Sequence, residues 1–113
     1  MLNDSPVLDR AFQALSDPVR RGMLARLSRG PASVSELAKP FSISLPAVMQ
    51  HLKALEESGL VRSDKKGRVR TVQLEPKTLS AAESWIGERR SEWEAQHDRF
   101  ETYVRSLKDG DKK

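Results

Sequence analysis

Three features of the chain predict a mainly α-helical fold with one small β-hairpin. Two short capped helices stand a few residues apart, the second with a polar outer face. A pair of alternating segments with a basic tip follows them. A long run with an apolar residue at every seventh position closes the chain. The predicted order is α-α-α-α-β-β-α: a helix-turn-helix with a wing, followed by a long C-terminal helix. At 113 residues the length suits one domain with a modest core. The predicted domain is residues 1–107, with a core at 7–78, a terminal helix at 79–107 and a disordered tail at 108–113.

Residues 7–15 read as the first helix, with Val7, Leu8, Ala11, Phe12 and Leu15 at three- and four-residue spacing. Ser16 and Asp17 interrupt it. Asp17-Pro18 opens the second helix, an N-cap aspartate followed by proline at the first helical position. Val19, Met23, Leu24 and Leu27 form its apolar stripe, and Gly30-Pro31 ends it. Ser33-Val34-Ser35-Glu36 is a capping box for a short helix from Val34 to Lys39, stopped by Pro40.

The next helix runs from Leu45 to Ser58. Ser44 is its N-cap, bonding to the Ala47 N–H, and Pro46 sits in its first turn. Gly59 suits the left-handed position that closes it, with Leu60 packing back on Leu55. Val48, Leu52 and Leu55 mark the buried face. The outer face carries Pro46, Met49, Gln50 and Lys53, side chains suited to base edges and phosphates. Glutamine pairs bidentately with adenine, so Gln50 is the expected base reader. Met49 and Pro46 face thymine methyls, and Ser44 and Lys53 reach phosphates; Leu45 belongs to the same surface. His51 lies one position from the buried stripe, so a packed, hydrogen-bonded role is expected there rather than a base contact.

Leu60–Asp64 reads as a strand, Lys65-Lys66-Gly67-Arg68 as a turn and Val69–Leu74 as a second strand. Lys65, Lys66, Arg68 and Arg70 then make a basic wing able to reach the backbone or minor groove of duplex DNA. Pro76 ends the wing. From Leu79 to Leu107 the pattern is helical, with Leu79, Ile86, Trp93, Phe100 and Leu107 seven residues apart. Tyr103 and Val104 widen this seam, and Phe12 joins it from the first helix. The early part of this helix is expected to lie on its own domain and the Trp93–Leu107 part to pack against a second copy of the chain, a helix folded back wholly as core being the alternative.

Charge divides along the same lines. Residues 1–78 hold 13 Lys/Arg against 8 Asp/Glu, whereas residues 79–107 hold 4 against 6. A basic front with a mildly acidic back fits a nucleic-acid-binding module with a separate association surface. With no cysteine and only two histidines, no thiolate site and no catalytic constellation is expected. No apolar run approaches a membrane span, and the N-terminus lacks signal-peptide features, so a cytoplasmic protein without membrane contact is expected.

The stretch Phe12-Gln-Ala-Leu-Ser-Asp-Pro-Val-Arg-Arg-Gly-Met-Leu-Ala-Arg-Leu27 resembles the signature of the ArsR family of bacterial winged-helix repressors. So do Glu36-Leu-Ala and Leu45-Pro-Ala-Val-Met-Gln-His-Leu-Lys-Ala-Leu-Glu-Glu-Ser-Gly-Leu-Val61. The resemblance covers residues 8–75. It implies a homodimer that represses transcription from an imperfect palindrome at a promoter, with an effector, unknown here, altering DNA affinity. Members that sense metals often carry a cysteine pair in the helix equivalent to Val34–Lys39, which holds no ligand here. Others bind zinc at the last helix through aspartate, two histidines and glutamate. This chain has His97 and Glu101 on one face with Asp98 alongside, but no upstream histidine. The resemblance therefore points to a cysteine-free, metal-independent branch with no cofactor. A metal-responsive repressor using His97 and Glu101 is one alternative, and a winged helix used only for protein interaction is another.

Overall fold

The computed structural model of the chain describes residues 5–111. They form two compact units, one ending at Ala82 and one beginning at Glu83. In the first unit, α1 spans Pro6–Leu15 and α2 spans Pro18–Leu27. The aspartate read as a cap behaves as one: Asp17 accepts from the Arg20 backbone N–H at 3.0 Å. The same turn settles the carbonyl end of α1. Arg20 Nε donates to the Ala14 carbonyl at 2.8 Å, and Arg21 donates to the Leu15 carbonyl at 2.7 Å. Two arginines of α2 thus satisfy carbonyls that α1 leaves without helical partners. The buried residues of α1 are Ala11 and Ala14, while Val7, expected on its apolar face, is exposed.

β1, Ala32–Ser33, leads into α3, Val34–Ala38, and the capping box between Ser33 and Glu36 is complete. α4 spans Leu45–Glu57. Its Ser44 hydroxyl accepts from the Ala47 N–H at 3.3 Å. At its other end Gly59 donates to the Glu56 carbonyl and Leu60 to the Leu55 carbonyl, both at 3.0 Å. These two bonds make a Schellman motif, and Gly59 takes the left-handed φ of 79° it requires. A β-carbon at Gly59 would also lie 2.8 Å from the Thr78 hydroxyl oxygen. Gly59→Ala is expected to destabilise the fold by about 1–2 kcal/mol for the backbone alone, with the Thr78 contact added. Urea unfolding should show the loss, and Thr78→Ala in the same chain should recover only the contact part.

β2, Val61–Lys66, and β3, Val69–Leu74, form the wing hairpin. The sheet order is β1-β3-β2, antiparallel throughout. β1 is absent from the sequence reading. Two residues carry no alternation, and only their pairing with Val72 and Thr71 makes them a strand. The turn is also tighter than expected. Lys65 and Lys66 belong to β2 and pair with Arg70 and Val69, leaving Gly67-Arg68 as a two-residue loop. Gly67 at φ 61° is the positive-φ residue at the first central position of a type II′ hairpin turn.

The core gathers Met23, Leu24 and Leu27 of α2, Leu37 of α3, Val48, Leu52 and Leu55 of α4, and Val61 and Val72 of the sheet. The last helix, α5, spans Pro76–Asp111. Pro76, read as a stop, is its first residue, where the missing proline N–H goes unused. Leu79 packs against the first unit's core and Ala82 is buried. Leu79 therefore leaves the expected dimer seam: the first turns of α5 seal their own domain. The helix also continues past Leu107, so residues 108–111 are helical and not a disordered tail. No proline interrupts them, and Lys108 places a cation at the carbonyl end of the helix. Lys112 and Lys113 lie outside the described residues.

Candidate nucleic-acid interface

The cap at Ser44 and the Schellman motif at Gly59 fix where α4 begins and ends. Burial of Val48, Leu52 and Leu55 fixes which face turns outward. On that outward face Leu45, Pro46, Met49, Gln50 and Lys53 are all exposed, as is Ser44. The Ser44 oxygen accepts the Ala47 N–H, which leaves its hydroxyl hydrogen for an outside acceptor. Five side chains and a cap hydroxyl thus stand on one rigid helix with hydrogen-bonding and apolar groups interleaved.

The wing carries its cations unevenly. Strand side chains alternate between faces. Lys65 and Arg70, directly paired, therefore share the face of Ser63 and Val72, while Lys66 points the other way. Lys65, Lys66 and Arg68 are exposed. Arg70 is held. Its guanidinium donates to the Ser63 hydroxyl at 3.4 Å and lies 3.9 Å from the Glu56 carboxylate on α4. Ser63 itself donates to Glu56. Facing cations such as Lys65 and Arg70 repel, and the Glu56 carboxylate offsets that repulsion. Glu56, Ser63 and Arg70 tie α4 to both wing strands, so Arg70 is a strut here while Lys65, Lys66 and Arg68 are open. A cleft of about 310 Å³ between α4 and the wing is lined by Met49, Gln50, Lys53, Glu56 and Arg70.

His51 is packed, as its position beside the buried stripe implied. Its Nδ1 lies 3.3 Å from the Arg20 guanidinium and 3.8 Å from the Asp17 carboxylate. The Arg20 backbone N–H holds the Asp17 carboxyl below its usual pKa, so that carboxylate stays charged beside the ring. Neither Arg20 nor Glu56 stands out in the sequence. Arg20 and His51 are 31 residues apart, and Glu56 reaches partners on two other elements; no local periodicity joins them.

In the second unit α5 exposes Ile86, Trp93, Phe100, Tyr103 and Leu107, with Val104 half-buried. Phe12, in the first unit, is half-buried on α1. His97 stacks on Trp93 with ring centroids 4.9 Å apart, and its Nε2 lies 3.3 Å from the Glu101 carboxylate. Among the described residues no three His, Cys, Asp or Glu side chains come together as a metal site. No helix of the described residues is long and apolar enough to cross a membrane.

A family model described as a helix-turn-helix domain matches residues 15–64. The chain is similar to the HTH-type transcriptional regulator Rv2034 of Mycobacterium tuberculosis, with 48% identity over 73 residues, covering 65% of this chain and 68% of the relative. It is 31% identical over 97 residues to the arsenical resistance operon repressor of Escherichia coli, covering 85% of this chain and 80% of that one. Among solved structures, the ArsR family transcriptional regulator RHA00566 superposes with a TM-score of 0.78 at 51% identity, covering 83% of this chain and 97% of that chain.

Proposed function

The chain belongs to the ArsR family of helix-turn-helix transcriptional regulators, and from that membership we propose that it is a dimeric repressor of transcription. The carrying observation is the exposed outer face of α4, with Gln50 at its centre, beside a wing whose Lys65, Lys66 and Arg68 have open side chains. α4 enters the major groove. Gln50 reads a base edge, Met49, Pro46 and Leu45 make apolar contacts, and Ser44 and Lys53 bond phosphates. The wing cations neutralise the neighbouring backbone. The exposed seam of α5, with Phe12, joins two copies and sets their recognition helices about one DNA turn apart, roughly 34 Å. Occupying a promoter in this way excludes polymerase. The family regulates transcription, so the protein acts by binding DNA, in the cytoplasm where its target lies.

Selection of bound duplexes from a random pool tests the reading. Two half-sites in inverted orientation are expected; a pool with no enriched sequence would refute specific binding. On the selected site Gln50→Ala is expected to weaken binding by about 1–3 kcal/mol and relax preference at one position. Equal losses on selected and random duplex would remove Gln50 as a base reader. Arg68→Ala should instead weaken binding to every sequence and lower the slope of log affinity against log salt by about one, measured by fluorescence anisotropy across a salt series.

A further inference from the structure

We propose that the cavity between α1, α2 and α4 is an effector site for a small amphoteric acid, one carrying two carboxylates and one ammonium. The cavity holds about 550 Å³, within the range of small-molecule sites. Arg10, Gln13, Arg20, Glu57 and Ser58 line it. Among the described residues, the side chains of Arg10 and Glu57 have neither a hydrogen bond nor an ion pair. One cation, from α1, and one anion, from the end of α4, therefore line the cavity uncommitted.

Arg20 is the opposite case, a guanidinium already fixed in place. Its bonds to the Ala14 and Gln13 carbonyls and its contact with His51 use three of its five N–H groups. Two remain for a ligand, on a group whose orientation is already set, so little side-chain entropy is lost on binding. The lining charges are two guanidinium groups and one carboxylate, a net charge of one positive unit. A ligand with two carboxylates and one ammonium matches it group for group. The carboxylates pair with Arg10 and Arg20, and the ammonium with Glu57. The Ser58 hydroxyl, which donates to the Leu55 carbonyl at 2.8 Å, keeps its oxygen as a further acceptor for that ammonium.

The site connects to α4 directly. Arg20 lies 3.3 Å from His51, the residue that seats α4 against the start of α2. A carboxylate on the two remaining N–H groups neutralises the Arg20 guanidinium, which weakens its donation to His51 Nδ1 and loosens that seat. Occupancy therefore weakens DNA binding, and DNA weakens occupancy by the same factor. Arg10 and Ala14 sit roughly 200° round α1 from Phe12, so this cavity and the Phe12 face are on different sides of the helix. The regulatory half of the inference rests on the DNA-binding reading above; the binding half does not.

The test is calorimetric titration of the full chain with L-glutamate, glutarate and inorganic phosphate, followed by duplex binding with each present. L-Glutamate is expected to saturate one site per chain and to weaken duplex affinity about tenfold. Glutarate, which lacks the ammonium, should bind about tenfold more weakly, and phosphate should not saturate. Arg10→Gln is expected to reduce L-glutamate affinity at least about tenfold while duplex affinity without ligand stays unchanged. Glu57→Gln should abolish the preference for L-glutamate over glutarate. Duplex binding without any saturable L-glutamate binding, or L-glutamate affinity untouched by Arg10→Gln, overturns the site. Saturable L-glutamate binding by a chain that binds no duplex upholds the site and overturns the DNA-binding reading instead.

Discussion

Phe100→Asp is expected to turn the protein into a monomer and to lower its affinity for a two-half-site duplex by about 10²- to 10⁴-fold. Phe100 is 64% exposed at the middle of a run in which Ile86, Trp93, Tyr103 and Leu107 are also more than half exposed. Each large apolar side chain withdrawn from water contributes about 1.5–3 kcal/mol, so in the proposed dimer this seam would supply most of the association energy. A two-fold interface places the substituted residue twice, and each buried aspartate costs several kcal/mol unless paired. A monomer keeps its recognition helix but contacts a single half-site, and the avidity of the second is lost. Sedimentation at micromolar concentration reads the assembly directly. A Phe100→Asp chain that still sediments as a dimer would remove the seam from the interface. The first unit does not include Phe100, so its thermal unfolding should be retained.

The second large effect concerns the seating of α4. Leu55→Ala should destabilise the fold by about 2–5 kcal/mol, a large share of the roughly 5–15 kcal/mol that holds a domain of this size. Leu55 is fully buried in a core that joins α2, α4 and the sheet. Its carbonyl also accepts the Leu60 N–H that closes the Schellman motif and the Ser58 hydroxyl. Truncation leaves a cavity under the end of α4 from which the wing departs. Chemical denaturation gives the magnitude. Leu45→Ala is the control: Leu45 is 60% exposed on the same helix, so it should leave stability nearly unchanged while altering the outward face of α4 proposed to meet DNA. Equal destabilisation by the two substitutions would contradict the assigned faces of α4.

The limits of α4 were legible because everything that sets them is local. Ser44, Pro46, Gly59 and Leu60 act on backbone groups within five residues, and the capping bond and both Schellman bonds appear as the residue types demand. The capping box at Ser33 and the cap at Asp17 are legible for the same reason. The boundaries that went astray depend on what lies elsewhere. Pro76 serves equally as a stop or as a first helical residue. Leu79 continues a seven-residue repeat, yet packing on the first unit's core removes it from the seam. β1 exists only because Val72 and Thr71 pair with it.

The amino-acid sequence by itself therefore determined the helices, their caps, the outward face of α4 and the basic character of the wing. Periodicity, proline, glycine and capping side chains act within one or two turns of chain. Tertiary structure alone decided which cations are open and which are committed. Arg70 is bound to Glu56 and Ser63, and Arg20 to the end of α1 and to His51, whereas Lys65, Lys66 and Arg68 stay exposed. A charged side chain's partner is set by the three-dimensional approach of elements far apart in the chain. Composition and spacing, which count arginines alike, carry no record of that approach.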